Sequence, residues 1–213
     1  MNLSKDQLMI QLNIWSKKKP RFLKAIKKPS LALIFEKRAA KYPKHTATIF
    51  SNQLYSYQYI NELANQLCHF LLSQKKIKNN NIGIFLEHPV QRLIAILAIN
   101  KAGLNMILFN AQSDFSIQKQ LIDQTKPQLL VTAQDLMTNQ FCQFFQPHNC
   151  YGFTDQITFE EKIDQFPTFN PATTRNSIQS HLIQMTNAEQ ILTLNAQQWL
   201  ALDEIRNTLE NIK

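Results

Sequence analysis

The chain has 213 residues, a formal net charge of +8, 44% hydrophobic residues and 18% charged residues. That length suits one compact domain with appendages, and that apolar content argues against global disorder. The three cysteines, Cys68, Cys142 and Cys150, form no regular framework, and no stretch offers the roughly 20 apolar residues of a membrane span. The odd cysteine count, with no recognisable signal peptide, leads us to expect a reducing, cytoplasmic setting.

The charge is concentrated at one end. Residues 1–45 hold twelve Lys or Arg and two acids, Asp6 and Glu36. Residues 1–29 read as a separate basic, amphipathic unit. Leu8, Leu12 and Trp15 share a helical face, followed by Lys17, Lys18 and Lys19, and Phe22 then stands among Arg21 and Lys24. Apolar anchors flanked by lysines suit a helix lying at an anionic membrane surface, with Trp15, Lys17, Lys18, Lys19, Phe22 and Lys24 as contact candidates. A helix packed on the domain with its lysines in water is the alternative. No nucleic-acid motif accompanies the charge, so no nucleic-acid partner is expected.

Next in the chain, Ser30 is placed to cap a helix over 31–41. Residues 46–50 and 54–57 flank Ser51-Asn52-Gln53 and read as a hairpin. The stripe Ile60, Leu63, Ala64, Leu67, Phe70 and Leu71 predicts an amphipathic helix over 58–73. A short apolar strand over 82–86 follows. Pro89 opens a helix to Lys101 that should be buried on several sides, with Gly103 as its C-terminal cap. A strand over 104–109, a helix over 115–125 capped by Ser113 or Asp114, and a strand over 128–132 complete the regular part. Strands alternating with helices of this length predict an α/β fold with a largely parallel sheet. Beyond it, 135–145 and 159–166 are helical candidates and 166–180 reads as a linker. A last amphipathic helix covers 197–212.

These residues resemble the N-terminal part of the adenylate-forming superfamily, and within it the long-chain and very-long-chain fatty acyl-CoA synthetases. The resemblance runs over about 30–174. It is carried by Leu33–Glu36 with Ala39–Pro43, Tyr55–Tyr57 with Asn61–Leu67, Ile84–Glu87 before Pro89, Lys101-Ala102-Gly103, and Leu108-Phe109-Asn110. It implies the N-terminal subdomain of that fold. It also implies an enzyme that uses ATP, magnesium and CoA to activate a fatty acid. The family's phosphate loop is due after Leu182-Ile183, where the chain reads Gln184–Gln190 with neither glycine nor lysine. The domains are therefore expected as a basic segment over 1–29, a partial AMP-binding domain over 30–183, and a divergent helical tail over 184–213. No catalytic residue, cofactor site or metal site is carried over, and the chain is expected to be inactive alone. A non-catalytic module binding a membrane or an acyl chain is the alternative.

Other constellations carry less. Tyr151–Asp155 looks like a nucleotide-binding Tyr-Gly-x-Thr-Glu motif but precedes the phosphate-loop position, so it reads as a turn. Cys142, His148 and Cys150 match no zinc spacing. Cys68 reads as half-buried packing and His69 as an exposed polar position. Glu87-His88 sits where α/β ligands bind and could line a pocket, though capping the next helix is the stronger reading. Phe141, Phe144 and Phe145 read as core.

Overall fold

The structure is a computed structural model that describes residues 30–74, 80–110, 113–136, 140–143, 145, 150–154, 161–172, 183–187 and 190–194. Helix α1 spans Leu31–Lys41, and the Ser30 side chain accepts from the Leu33 amide at its start. Strands β1 (Thr46–Phe50) and β2 (Gln53–Ser56) form an antiparallel hairpin of their own. Ser51 and Asn52 turn it with φ of 48° and 64°. Left-handed values at both positions match the twist of flanking strands and suit polar turn residues. β2 stops one residue earlier than expected, because Ser56 caps α2 (Tyr57–Ser73) through a 3.2 Å bond from the Tyr59 amide.

The second, six-stranded sheet carries the fold. Its strands are β3 (Asn81–Ile84), β4 (Asn105–Leu108), β5 (Leu129–Ala133), β6 (Cys150–Phe153), β7 (Ile183–Asn187) and β8 (Gln190–Leu194). The spatial order is β6-β5-β3-β4-β7-β8, parallel throughout except for the antiparallel β7–β8 pair. Helices α3 (Pro89–Ala102) and α4 (Phe115–Thr125) make the first crossovers. A 3-10 turn over Gln134–Leu136 and the short helices α5 (Gln140–Gln143) and α6 (Glu161–Asp164) follow.

The two faces of the sheet bury separate clusters. Ile82, Ile84, Met106 and Val131 pack under α2, α3 and α6, with Phe70, Leu67, Ile94, Leu97 and Ile163. Phe85, Ile107 and Leu130 pack on the other side with Leu121 of α4 and with Phe141 and Phe145. Each fully buried side chain of this size contributes roughly 1.5–3 kcal/mol. Eleven of the fourteen residues of α3 are buried, as its apolar content predicts. Gly103 ends it at φ 69°, a conformation that costs other residues a Cβ clash.

The parallel α/β fold agrees with the sequence reading, and three local expectations need correction. Tyr151–Phe153 belongs to strand β6, not to a turn, and pairs with β5 through Val131, Thr132 and Ala133. The run is short and holds a glycine, so its strand state has no local signature. Of the helix expected over 135–145, the described residues form a 3-10 turn over Gln134–Leu136 and the four-residue α5, with 137–139 and 144 outside them. The boundary expected at 183/184 falls inside β7, so the start of the expected helical tail is a sheet hairpin. Partners on β4 decide that assignment, and the segment taken by itself cannot reveal them. The basic segment 1–29 and the helix expected over 197–212 lie outside the described residues.

Candidate functional site

The topology creates a crevice at one place on the sheet. The chain leaves β3 toward β4 and leaves β5 toward β6, in opposite directions. Between adjacent strands that diverge in this way, α/β sheets bind ligands at the carboxyl ends. A cavity of about 450 Å³ lies there, lined by Glu87, His88 and Gln91 after β3, by Ala133, Asp135 and Leu136 after β5, and by Thr154 after β6.

Local structure explains the lining. His88 is the N-cap of α3: its Nδ1 accepts from the Val90 amide at 3.2 Å, and Pro89 occupies the first turn. The Phe50 ring meets the imidazole edge-on at 4.3 Å, and burial lowers the His88 pKa. The Arg92 guanidinium donates to the Leu86 carbonyl oxygen at 2.6 and 3.1 Å, which fixes the strand-to-helix turn. Glu87-His88 therefore both lines the cavity and caps the helix. Two carboxylates, a neutral-leaning imidazole, an amide and a hydroxyl form a polar recess. Among the described residues that line it there is neither an activated nucleophile nor an anion-binding loop.

Sequence reasoning missed a second polar centre, inside the helical layer. Lys101 is fully buried, and its Nζ donates to Glu36 at 2.5 Å and to Asn61 at 3.0 Å. Burial lowers its pKa, opposed by the hydrogen bond and charge of Glu36. Asn65 Nδ2 donates to the Thr168 carbonyl oxygen at 2.7 Å, and Gln66 Nε2 to that of Asp164 at 2.7 Å. Asn100 Oδ1 accepts from the Ala32 amide at 3.0 Å. This network ties α1, α2, α3 and residues 164–170 together. The signal that could have found it is a lysine inside an otherwise apolar helix, which requires a partner.

The remaining sequence candidates fall as follows. Cys68 is fully buried rather than half-buried, and burial pushes its thiol up to about 12. His69 is half-buried, and its Nε2 lies 3.0 Å from the Phe169 carbonyl oxygen. Phe141 and Phe145 are core, stacked near Phe85 and Phe109. Among the described residues no group of three His, Cys, Asp or Glu could hold a metal ion, and His148 lies outside them. Trp15, Lys17, Lys18, Lys19, Phe22 and Lys24 lie outside them as well.

Where the resemblance places a phosphate loop, Asn187 pairs with Gln190 across the β7–β8 hairpin. Two residues of sequence, Ala188 and Glu189, remain between the strands. A triphosphate cradle needs a longer run of glycines with a cationic side chain. The residues present at this position do not fit ATP.

Comparison with known proteins agrees with the topology. A model of the AMP-binding enzyme family matches residues 35–195. A linear gramicidin synthase of Brevibacillus parabrevis is 29% identical over 148 residues, which is 70% of this chain and 3% of that protein. A benzoate CoA ligase from Burkholderia xenovorans LB400 shares the fold at a TM-score of 0.63 and 15% identity, over 82% of this chain and 36% of that one. Mycobacterium tuberculosis fatty acyl CoA synthetase does so at 0.62 and 11%, over 81% and 35%. The chain thus spans only a small part of its curated relative and about a third of these two structures. The family model's match over three quarters of its residues shows that the chain belongs to the AMP-binding enzyme family.

Proposed function

We propose that this chain is the opening portion of an enzyme that joins a carboxylic acid to AMP, and that alone it does not perform that step. One juxtaposition supports the reading. The family match extends through both strands of the β7–β8 hairpin, yet the connection between them has two residues and no glycine or lysine. Adenylate formation requires pre-organised stabilisation of the charge on the transferred phosphorus. The scaffold strands are present, and the sequence that joins them lacks the glycines and lysine of a charge-stabilising loop. ATP and magnesium belong to the family reaction. CoA would serve only if the parent enzyme makes a thioester.

Two acid classes compete. The Leu108-Phe109-Asn110 turn and the shared fold of a fatty acyl CoA synthetase support a long-chain fatty acid. Identity to a gramicidin synthase over 70% of the chain supports kinship with peptide synthetases. The second observation weighs more, because the fold shared with a fatty acyl CoA synthetase at 11% identity is also shared with a nonribosomal peptide synthetase at 15%. We therefore rank an amino acid above a fatty acid as the acid of the parent enzyme. A further reading makes residues 1–28 a peripheral contact with anionic membranes, supported by Trp15 and the lysines around it.

Calorimetry with MgATP, and pyrophosphate release with oleate or with mixed amino acids, test the main reading. We expect no heat in the micromolar range and no pyrophosphate from the full chain. Micromolar ATP affinity, or turnover with either acid, would overturn the proposal of inactivity. The identity of the accepted acid would decide the class.

A further inference from the structure

One surface of the molecule combines exposed apolar side chains with basic ones, and its elements are joined by observed contacts. On the hairpin, Ile49 and Leu54 face each other across the strands and remain 63% and 64% exposed. They are among the most exposed large hydrophobics of the described residues. On α1, Ile34, Lys37, Arg38 and Lys41 recur at helical spacing and are all exposed. The two elements meet: Arg38 Nη1 donates to the Tyr57 hydroxyl at 3.3 Å, the Tyr57 amide donates to the His45 carbonyl oxygen at 3.0 Å, and Thr46 pairs with Ser56 at the base of the hairpin. The corner between them adds exposed Lys44 and Tyr42, with the Lys41 ammonium 5.0 Å from the Tyr42 ring centroid.

The charge of this surface is one-signed for a structural reason. From Ser30 to Asn61 the single acid is Glu36, and it is 7% exposed because it turns inward to Lys101. The buried ion pair therefore removes from α1 the one carboxylate that would oppose its basic face. Helix α1 shows solvent three basic side chains and no acid.

We propose that the outer face of α1 and the β1–β2 hairpin form a docking surface for an anionic lipid bilayer. Lys37, Arg38, Lys41 and Lys44 engage headgroups, and Ile49 and Leu54 enter the interface. Charge complementarity selects this occupant. A second copy of the chain would bring like-charged helices together within a Debye length of roughly 8 Å at physiological salt, whereas an anionic bilayer gains from every lysine and takes up apolar side chains. A nucleic acid would satisfy the lysines and leave the Ile49–Leu54 pair in water.

The test is co-sedimentation of the full chain with phosphatidylcholine vesicles, with and without about one third phosphatidylglycerol, across a salt series. The one-third fraction gives a strongly negative surface. We expect binding to the anionic vesicles, weakened by salt, and little to neutral ones. Ile49→Ser with Leu54→Ser should lower the affinity by about tenfold, the scale for two apolar side chains at an interface. Lys37→Glu with Lys41→Glu and Lys44→Glu should lower it by at least as much. Trp15→Ser with Phe22→Ser separates any contribution of residues 1–28. Hydrogen exchange of the wild-type chain supplies a readout that no variant needs: amides of 46–56 should slow on anionic vesicles. Unchanged binding by both surface variants, unchanged exchange, or equal binding to neutral vesicles overturns the proposal. So does a concentration-dependent dimer that disappears in Ile49→Ser with Leu54→Ser, or salt-sensitive DNA binding with no vesicle binding.

Discussion

Glu36 of α1 and Lys101 of α3 meet at 2.5 Å inside the helical layer, 65 residues apart in sequence. The pair fastens the first helix to the most buried one and leaves Lys101 without solvent contact. Breaking it from one side leaves a buried charge unpaired. Glu36→Gln should therefore cost about 3–5 kcal/mol, whereas Glu36→Leu with Lys101→Met should recover most of that loss. Urea unfolding of the three proteins checks this. A single variant as stable as wild type would show the pair to be solvated in solution.

Cys68 carries a pH-dependent contribution. Burial raises its folded pKa from 9.0 to about 12, so the folded chain holds the thiol proton over an interval where the unfolded chain releases it. The stabilisation is fully present below pH 9 and is lost as pH rises toward 12. The stability of wild type relative to Cys68→Ala should fall by about 1.4 kcal/mol per pH unit above 9. Urea midpoints at pH 8, 9 and 10 measure it. A constant difference across that range would contradict the assignment.

Gly83 sits at the centre of the sheet, paired with Ile107 on one side and Leu130 on the other. A Cβ added there would come within 2.9 Å of Leu130 Cδ1 and 3.1 Å of Phe109 Cε2. Both neighbours are themselves packed in the core. Gly83→Ala should cost about 1–3 kcal/mol by overpacking, read as a lower thermal midpoint with an unchanged far-ultraviolet spectrum.

Gly103 is constrained by its backbone. At φ 69° it closes α3 with its amide bonded to Asn100 and Ile99 carbonyl oxygens. Gly103→Ala should lose roughly 1 kcal/mol, and Gly103→Asn less, because asparagine tolerates the left-handed region. Equal losses for the two would locate the cost outside the cap.

Strand β7 lies between β4 and β8. Its amides are expected to exchange slowly, on the scale of other sheet interiors, and those of the edge strand β8 faster. Exchange of 183–187 as fast as an unpaired chain would return this segment to the independent tail expected from sequence.

Much of the regular block is legible in the residues alone. The apolar stripe from Ile60 to Leu71, Pro89 at a helix start and Gly103 after its end each encode a local decision, and α1 and α4 fall where expected, α1 with its Ser30 cap and α4 behind Asp114 with no side-chain cap hydrogen bond. The two strand segments that the sequence reading missed share one cause. Tyr151–Phe153 and Ile183–Asn187 are short segments whose strand state comes from neighbours on β5 and β4.

By itself the sequence determined the four long helices, the Ser30 and Gly103 caps, the alternation that makes the sheet parallel, and the missing glycines and lysine where a phosphate loop is due. These are local matters of periodicity, backbone preference and composition. The tertiary structure alone decided the strand order, and with it the crevice between β3 and β5. It also decided that Glu36 turns inward to Lys101, leaving the exposed side chains of α1 without a carboxylate. Residues far apart in the chain become partners only when packing removes them from water, and the energy that selects those partners is absent from any single segment.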